Sequence, residues 1–266
     1  MSPLLLALLL SLPPAEASEP PLPPQRVLRV CADPNNLPFS NQQEKGLENR
    51  LARLLARELG ARVEYTWWAQ RRGFVRNTLK AGLCDVVMGV PRDYELALTT
   101  RPYYRSSYVF VSRTDVGAPV RSFDDARLRR LRIGLHVVGD DAAAVPPAHA
   151  LSRRGIVDNV RGYSVYGDYA QDSPPLDLLR ALERGEVDVA VVWGPMAGYF
   201  AKHSRAKLRL APVTVHAADA HLPFAFDISL GVRRGERALK AELERALTRR
   251  QREVRALLAD YGVPRP

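Results

Sequence analysis

The residues that could do chemistry fall into four groups: five histidines, two cysteines, a carboxylate pair and a set of aromatics. Zinc needs ligands at fixed spacings, such as two histidines one helical turn apart or cysteine pairs. His136, His149, His203, His216 and His221 offer neither. His136, close to Asp140 and Asp141, is the mildest of candidates, and the reading holds no metal and no bound cofactor. Asp140-Asp141 is the one adjacent carboxylate pair near it. Adjacent residues on a strand end point apart, so the pair suits a solvated or capping role better than acid–base work. A Gly-x-Ser-x-Gly nucleophile elbow and a glycine-rich phosphate loop are both missing. No constellation demands catalysis. What remains is aromatic: Trp67-Trp68, Tyr103-Tyr104 and Trp193. Such residues build the walls of small-molecule pockets and the anchors of protein interfaces.

These residues are positioned by two stretches that echo one another. Leu28-Arg29-Val30 and Gly82-Leu83-Cys84-Asp85-Val86-Val87 bound the first. Leu131-Arg132-Ile133 and Gly185-Glu186-Val187-Asp188-Val189-Ala190 bound the second, at a spacing of 103 residues for both ends. Each copy reads strand, helix, strand, amphipathic helix, Gly-x-x-Asp turn, buried strand. The pattern predicts two α/β lobes with parallel, doubly covered strands. In the first copy, the 46–59 segment is a helix with Leu47, Leu51, Leu54, Leu55 and Leu59 on one face, ended by Gly60. The chain is expected to build the first part of lobe one over 26–112 and lobe two over 113–223. It then returns over 224–266 with a strand and Arg-rich helices that complete lobe one. Two crossings make a hinge, the anatomy of a clamshell binding protein.

In open parallel sheets, ligands bind beyond the carboxyl ends of the strands. That rule selects Asp33, Asn36, Phe39, Trp67, Trp68, Arg71, Pro91, Arg101, Tyr103, Tyr104 and Arg105 in the first lobe. In the second it selects Asp140, Asp141, Tyr166 and Trp193.

Compartment is set by the N-terminus. Leu4 to Leu12 is apolar but for Ser11, too short to span a bilayer, and is followed by Pro13-Pro14 and Ala15-Glu16-Ala17. Residues 1–17 read as a cleaved secretory signal peptide and 18–25 as a proline-rich leader. No later stretch is apolar enough for a membrane helix, and no stable anchor is expected. In an oxidising compartment Cys31 and Cys84 invite a disulfide; the other reading is two buried thiols packing as small hydrophobes. The net charge of +10 at pH 7 would suggest nucleic acid in the cytoplasm. In an exported chain it points instead to an acidic protein partner or an anionic ligand, or to nothing more than a basic composition.

Several motifs together resemble one family. They are Cys31-Ala32-Asp33-Pro34, Asn36-Leu37-Pro38-Phe39-Ser40-Asn41, Trp67-Trp68, Gln70-Arg71-Arg72-Gly73-Phe74, Met88-Gly89-Val90-Pro91 and Thr99-Thr100-Arg101-Pro102-Tyr103-Tyr104-Arg105-Ser106. Val138-Gly139-Asp140-Asp141, Pro146-Pro147-Ala148-His149 and Val192-Trp193-Gly194-Pro195 agree. The chain resembles the type II periplasmic solute-binding proteins (solute-binding protein family 3). More narrowly it is similar to the MoxJ/XoxJ branch associated with quinoprotein methanol dehydrogenases. That resemblance implies a two-lobed α/β fold in the periplasm and a partner, a PQQ-dependent alcohol dehydrogenase, to which quinone and metal would belong. Amino-acid receptors of this fold clamp a ligand carboxylate with an arginine. Here Arg92 stands near that place but is followed at once by Asp93, and the usual threonines are missing.

Three functional readings follow. The first is an accessory or activator protein of a quinoprotein dehydrogenase, not itself an enzyme. The second is an importer's solute receptor for a small anionic or cofactor-like ligand. The third is an enzyme on the same fold with Asp33 or Glu48 as acid–base group, which requires a cleft carboxylate of raised pKa.

Overall fold

The computed structural model describes residues 26–137, 145–165 and 173–264. The signal-peptide and leader expectations lie outside the described residues, as do Asp140, Asp141 and Tyr166.

The chain opens with β1 (Arg26–Ala32), the short pair β2 (Asn35–Asn36) and β3 (Ser40–Asn41), and α1 (Leu47–Glu58). There follow β4 (Ala61–Trp67), α2 (Phe74–Asn77), β5 (Val86–Pro91), β6 (Leu98–Thr99) and β7 (Tyr104–Arg113). The second half holds β8 (Ile133–Val137), α3 (Pro146–Ser152), β9 (Val160–Ser164), α4 (Asp177–Glu183), β10 (Val189–Trp193), α5 (Gly194–His203) and β11 (Leu208–Pro212). It closes with β12 (Ala225–Val232), α6 (Arg237–Arg249) and α7 (Gln251–Asp260).

The sequence echo is a structural one. β1 lies between β4 and β5, both parallel to it, and β8 lies between β9 and β10, again both parallel. The equivalence reaches single side chains. Arg29 grips the Asp85 carboxylate with its guanidinium (2.6 Å) and its backbone N–H (3.1 Å). Arg132 grips Asp188 in the same way, at 2.6 and 2.8 Å. Each aspartate follows a glycine with φ +76°, Gly82 or Gly185, a conformation in which a Cβ would be strained. The Gly-x-x-Asp spacing therefore encodes a turn and the ion pair that ties it to the first strand of its lobe.

α1 shows why burial fixes these elements. Leu47, Leu51 and Leu55 are at most 1 % exposed, in one core with Leu28, Val30, Met88, Leu230 and Leu243. Each such leucine contributes about 1.5–3 kcal/mol. Leu54 and Leu59 flank that core partly buried, and Gly60 ends the helix with φ +63°.

The fold is the expected two-lobed α/β architecture, but the two half-sheets are continuous. β7 pairs with β12 over Tyr104–Ser107 and with β10 over Tyr108–Ser112, antiparallel to both. β12 also pairs antiparallel with β5. One long strand thus belongs to both lobes. α5 follows β10 without a break. In place, Pro195 occupies the helix's first turn, and Gly198 packs so closely on Gly262 that a Cβ would overlap its carbonyl. Asp125 caps a single 3-10 turn, Ala126–Arg129.

A disulfide joins Cys31 to Cys84 across adjacent strands, with 5.5 Å between Cα atoms, closing a loop of 53 residues. Cross-linking a loop of this length contributes roughly 2–4 kcal/mol. The Cys31→Ser/Cys84→Ser double variant should lose about that much in urea unfolding, and thiol reductant should reproduce the loss in the unmodified chain.

Candidate functional site

A cavity of about 260 Å³ opens between the lobes, beyond the carboxyl ends of β1, β5, β8 and β10. From the first lobe come Asp33, Asn36, Phe39, Glu48, Gln70 and Gly89. β7 supplies Tyr104 and Tyr108, and the second lobe His136, Pro174, Pro175, Trp193 and Met196.

The 33–41 loop is held in place from within. Asp33, 3 % exposed, accepts the backbone N–H of Asn35 (2.8 Å) and of Gln70 (2.6 Å). Asn36 donates to the Gln70 side-chain carbonyl at 3.0 Å. Gly46 lies so close to the Phe39 carbonyl that a Cβ would overlap it, so the loop and α1 interlock. The loop also reaches across the cleft. The Ser173 N–H donates to the Asn35 side-chain oxygen (2.9 Å), and Phe39 packs on the second-lobe core.

Glu48, on the first turn of α1, lies against Gly89, where a Cβ would overlap its carboxylate oxygen. Burial, reinforced by the negative charge of Asp33, pushes the Glu48 carboxyl up to about 7. Among the described residues it has no hydrogen-bond or ion-pair partner. His136 is 5 % exposed and its Nε2 lies 2.9 Å from the Pro175 carbonyl oxygen, which assigns the proton to that nitrogen. Burial lowers its pKa to about 4, so the imidazole is neutral at pH 7. Burial likewise raises the Tyr104 phenol, and Tyr108 is pushed up to about 12. Trp193 meets Tyr108 and Phe226 edge-on, both at 5.7 Å.

Of the residues selected from sequence, the structure brings Asp33, Asn36, Phe39, Tyr104 and Trp193 together here. The other selected residues that are described lie elsewhere. Trp67 stacks on Tyr65 at 4.5 Å against the first-lobe core, and Trp68 is 44 % exposed. Arg71 and Pro91 line a separate depression with Tyr94. Arg101 lies against α6, where its N–H donates to Glu244 (2.8 Å), and Tyr103 turns its hydroxyl inward to the Met88 carbonyl of β5 (2.9 Å) without reaching the cavity wall. Arg105 pairs with Asp227 at 3.0 Å. The strand-end rule locates a rim, but successive residues on a strand turn to opposite faces, and one face of that rim looks away from the cleft. Gln70, Tyr108, His136 and Met196 line the cavity without having been selected. Tyr108 shares the alternation that starts at Tyr104, a signal available once β7 is known to begin there. The described residues hold no cluster of three metal-ligating side chains.

A clamshell with an aromatic-lined cleft between its lobes is the architecture of a binding protein, and the chain belongs to the bacterial extracellular solute-binding proteins of family 3, whose model matches residues 28–262. Within that family it is MoxJ/XoxJ-like. It is 32 % identical to protein MoxJ of Methylorubrum extorquens over 257 residues, covering 94 % of this chain and 85 % of that one. With protein MoxJ of Paracoccus denitrificans it shares 30 % identity over 251 residues, 89 % of this chain and 88 % of the relative. The crystal structure of periplasmic binding protein XoxJ from Methylobacterium extorquens AM1 superposes with a TM-score of 0.74 at 34 % identity, covering 90 % of this chain and 99 % of that one. Among the described residues no helix is long and apolar enough to cross a membrane.

The Glu48 environment has a thermodynamic consequence. A carboxyl whose folded pKa exceeds its unfolded value disfavours folding once it ionises. Stability is therefore lost as pH rises from 4.5 to about 7 and is level above that. The rise corresponds to about 3 kcal/mol. Glu48→Gln should unfold at a higher temperature than the parent at pH 8, with the gap closing by pH 5 in thermal melts.

Proposed function

We propose that this chain is a periplasmic accessory protein that binds a quinoprotein (PQQ-dependent) methanol or alcohol dehydrogenase, with a solute-binding fold put to protein recognition and no catalytic role of its own. The observation that carries the reading is the likeness to the MoxJ and XoxJ proteins along nearly the whole chain. Three features support it. The net charge is +10, and arginines such as Arg245, Arg252 and Arg255 are exposed along the outer faces of α6 and α7, suited to an acidic partner. Among the described residues no arginine lines the cavity to clamp an amino-acid carboxylate: Arg92 is exposed and pairs with Asp93 at 3.4 Å. The Cys31–Cys84 bridge suits an oxidising compartment.

A second reading, an extracytoplasmic solute receptor for an importer, is favoured by the cavity between the lobes itself. Pull-down of the mature protein against periplasmic extract of alcohol-grown cells separates the two. The accessory reading expects capture of a quinoprotein dehydrogenase that weakens several-fold between low and high salt. Capture of no dehydrogenase, together with a small molecule that raises the melting temperature, would favour the receptor.

Trp68 tests the rim directly. It is half-exposed, and truncating an aromatic anchor costs about 1–2 kcal/mol of binding. Trp68→Ala should leave the melting temperature unchanged and reduce dehydrogenase capture roughly tenfold in a titrated pull-down.

A further inference from the structure

We infer that the cavity between the lobes binds a small organic ammonium ion that carries no carboxylate of its own. The inference does not depend on the dehydrogenase reading.

The charge of the cleft is opposite to that of the molecule. Among the described residues its wall contains two carboxylates, Asp33 and Glu48, and no lysine or arginine. A ligand carboxylate would meet two acids and no guanidinium, in a site where charge is poorly screened. His136 supplies no positive charge, since burial keeps it neutral. A cation meets the reverse conditions.

The two acids differ in how they are held. Asp33 is committed to the 33–41 loop through the N–H groups of Asn35 and Gln70. Glu48 is partly buried, its carboxylate has no partner among the described residues, and it sits at the cavity wall beside Gly89. An unpaired carboxylate in such a place costs free energy that a bound cation would recover.

The remaining walls have the matching chemistry. Phe39, Tyr104, Tyr108 and Trp193 line the same space. Aromatic faces attract a cation through the ring quadrupole and cover its alkyl carbons. The volume, about 260 Å³, is below the ~300–1,000 Å³ of drug-sized sites, so the ion is small.

Glu48 also makes binding depend on pH. The groups facing it are Asp33, Tyr65, Tyr103 and Tyr104, and the phenols are neutral across the range concerned. With Glu48 near 7, the ionised fraction falls about tenfold from pH 8 to pH 6, and ammonium affinity should fall with it.

The experiment is calorimetric titration of the mature chain with tetramethylammonium, pentylammonium, norleucine and acetate at pH 8, with melting temperatures in parallel. Pentylammonium and norleucine share an alkylammonium and differ by a carboxylate. The expected result is binding of one or both ammonium ions, at least ~10-fold weaker binding of norleucine, and none of acetate. Glu48→Gln should weaken the ammonium ion at least ~10-fold. The pH series in the unmodified chain gives the same test with no substitution. Norleucine or acetate binding as tightly as the ammonium ions, binding of neither ammonium ion, or an affinity unchanged from pH 8 to pH 6 would overturn the inference.

Discussion

The structure depends on one strand serving two sheets. β7 runs antiparallel to β12 in its first half and to β10 and β11 in its second. Backbone hydrogen bonding is obligatory along a buried strand, so this sharing fixes both half-sheets relative to one another. It also fixes the cleft. Tyr104 and Tyr108 come from the part of β7 where the sheets meet, and the ladder sets Trp193 directly opposite Tyr108. The junction is braced from the C-terminal side, where Tyr261 stacks on Tyr199 of α5 and Lys202 donates to the Ala259 carbonyl at 2.6 Å.

Around that junction the two lobes are variations on one unit. The Arg29–Asp85 and Arg132–Asp188 pairs, each with its left-handed glycine, lock the same turn in both copies. The pairs are partly exposed, and their direct contribution is modest. Their structural effect is larger: the turn directs β5 and β10 beside the first strand of each lobe, and their far ends deliver Gly89 and Trp193 to the cleft. The copies diverge in what they place there. The first contributes carboxylates, and the second contributes Trp193, Met196 and a neutral histidine.

The electrostatics divide between outside and inside. Arginines dominate the exterior, many of them paired, as with Arg249 and Arg250 on Glu58. The cleft interior is acidic and aromatic. One surface therefore suits an acidic macromolecule while the other suits a small cation, and net charge alone predicts only the first.

By itself the sequence determined the fold class, the repeat and the helix faces. Periodicity and the 103-residue echo are local or self-comparing signals, and they carry α1, β5, the two Gly-x-x-Asp turns and the clamshell. The family motifs were legible too, since Asp33, Asn36 and Phe39 stand in one loop. Cys31 and Cys84 were readable as a pair, while their bridging turned on the 5.5 Å that strand register leaves between them. Only the tertiary structure decided which rim residues face the cleft. Trp67, Arg71 and Tyr103 share strand ends with true wall residues, but a side chain's face depends on where its strand begins and how the sheet twists. It also decided the state of Glu48. Its residue type and helix position are plain in the sequence, whereas its raised pKa comes from burial and from Asp33, fifteen positions away in the chain and brought close only by folding.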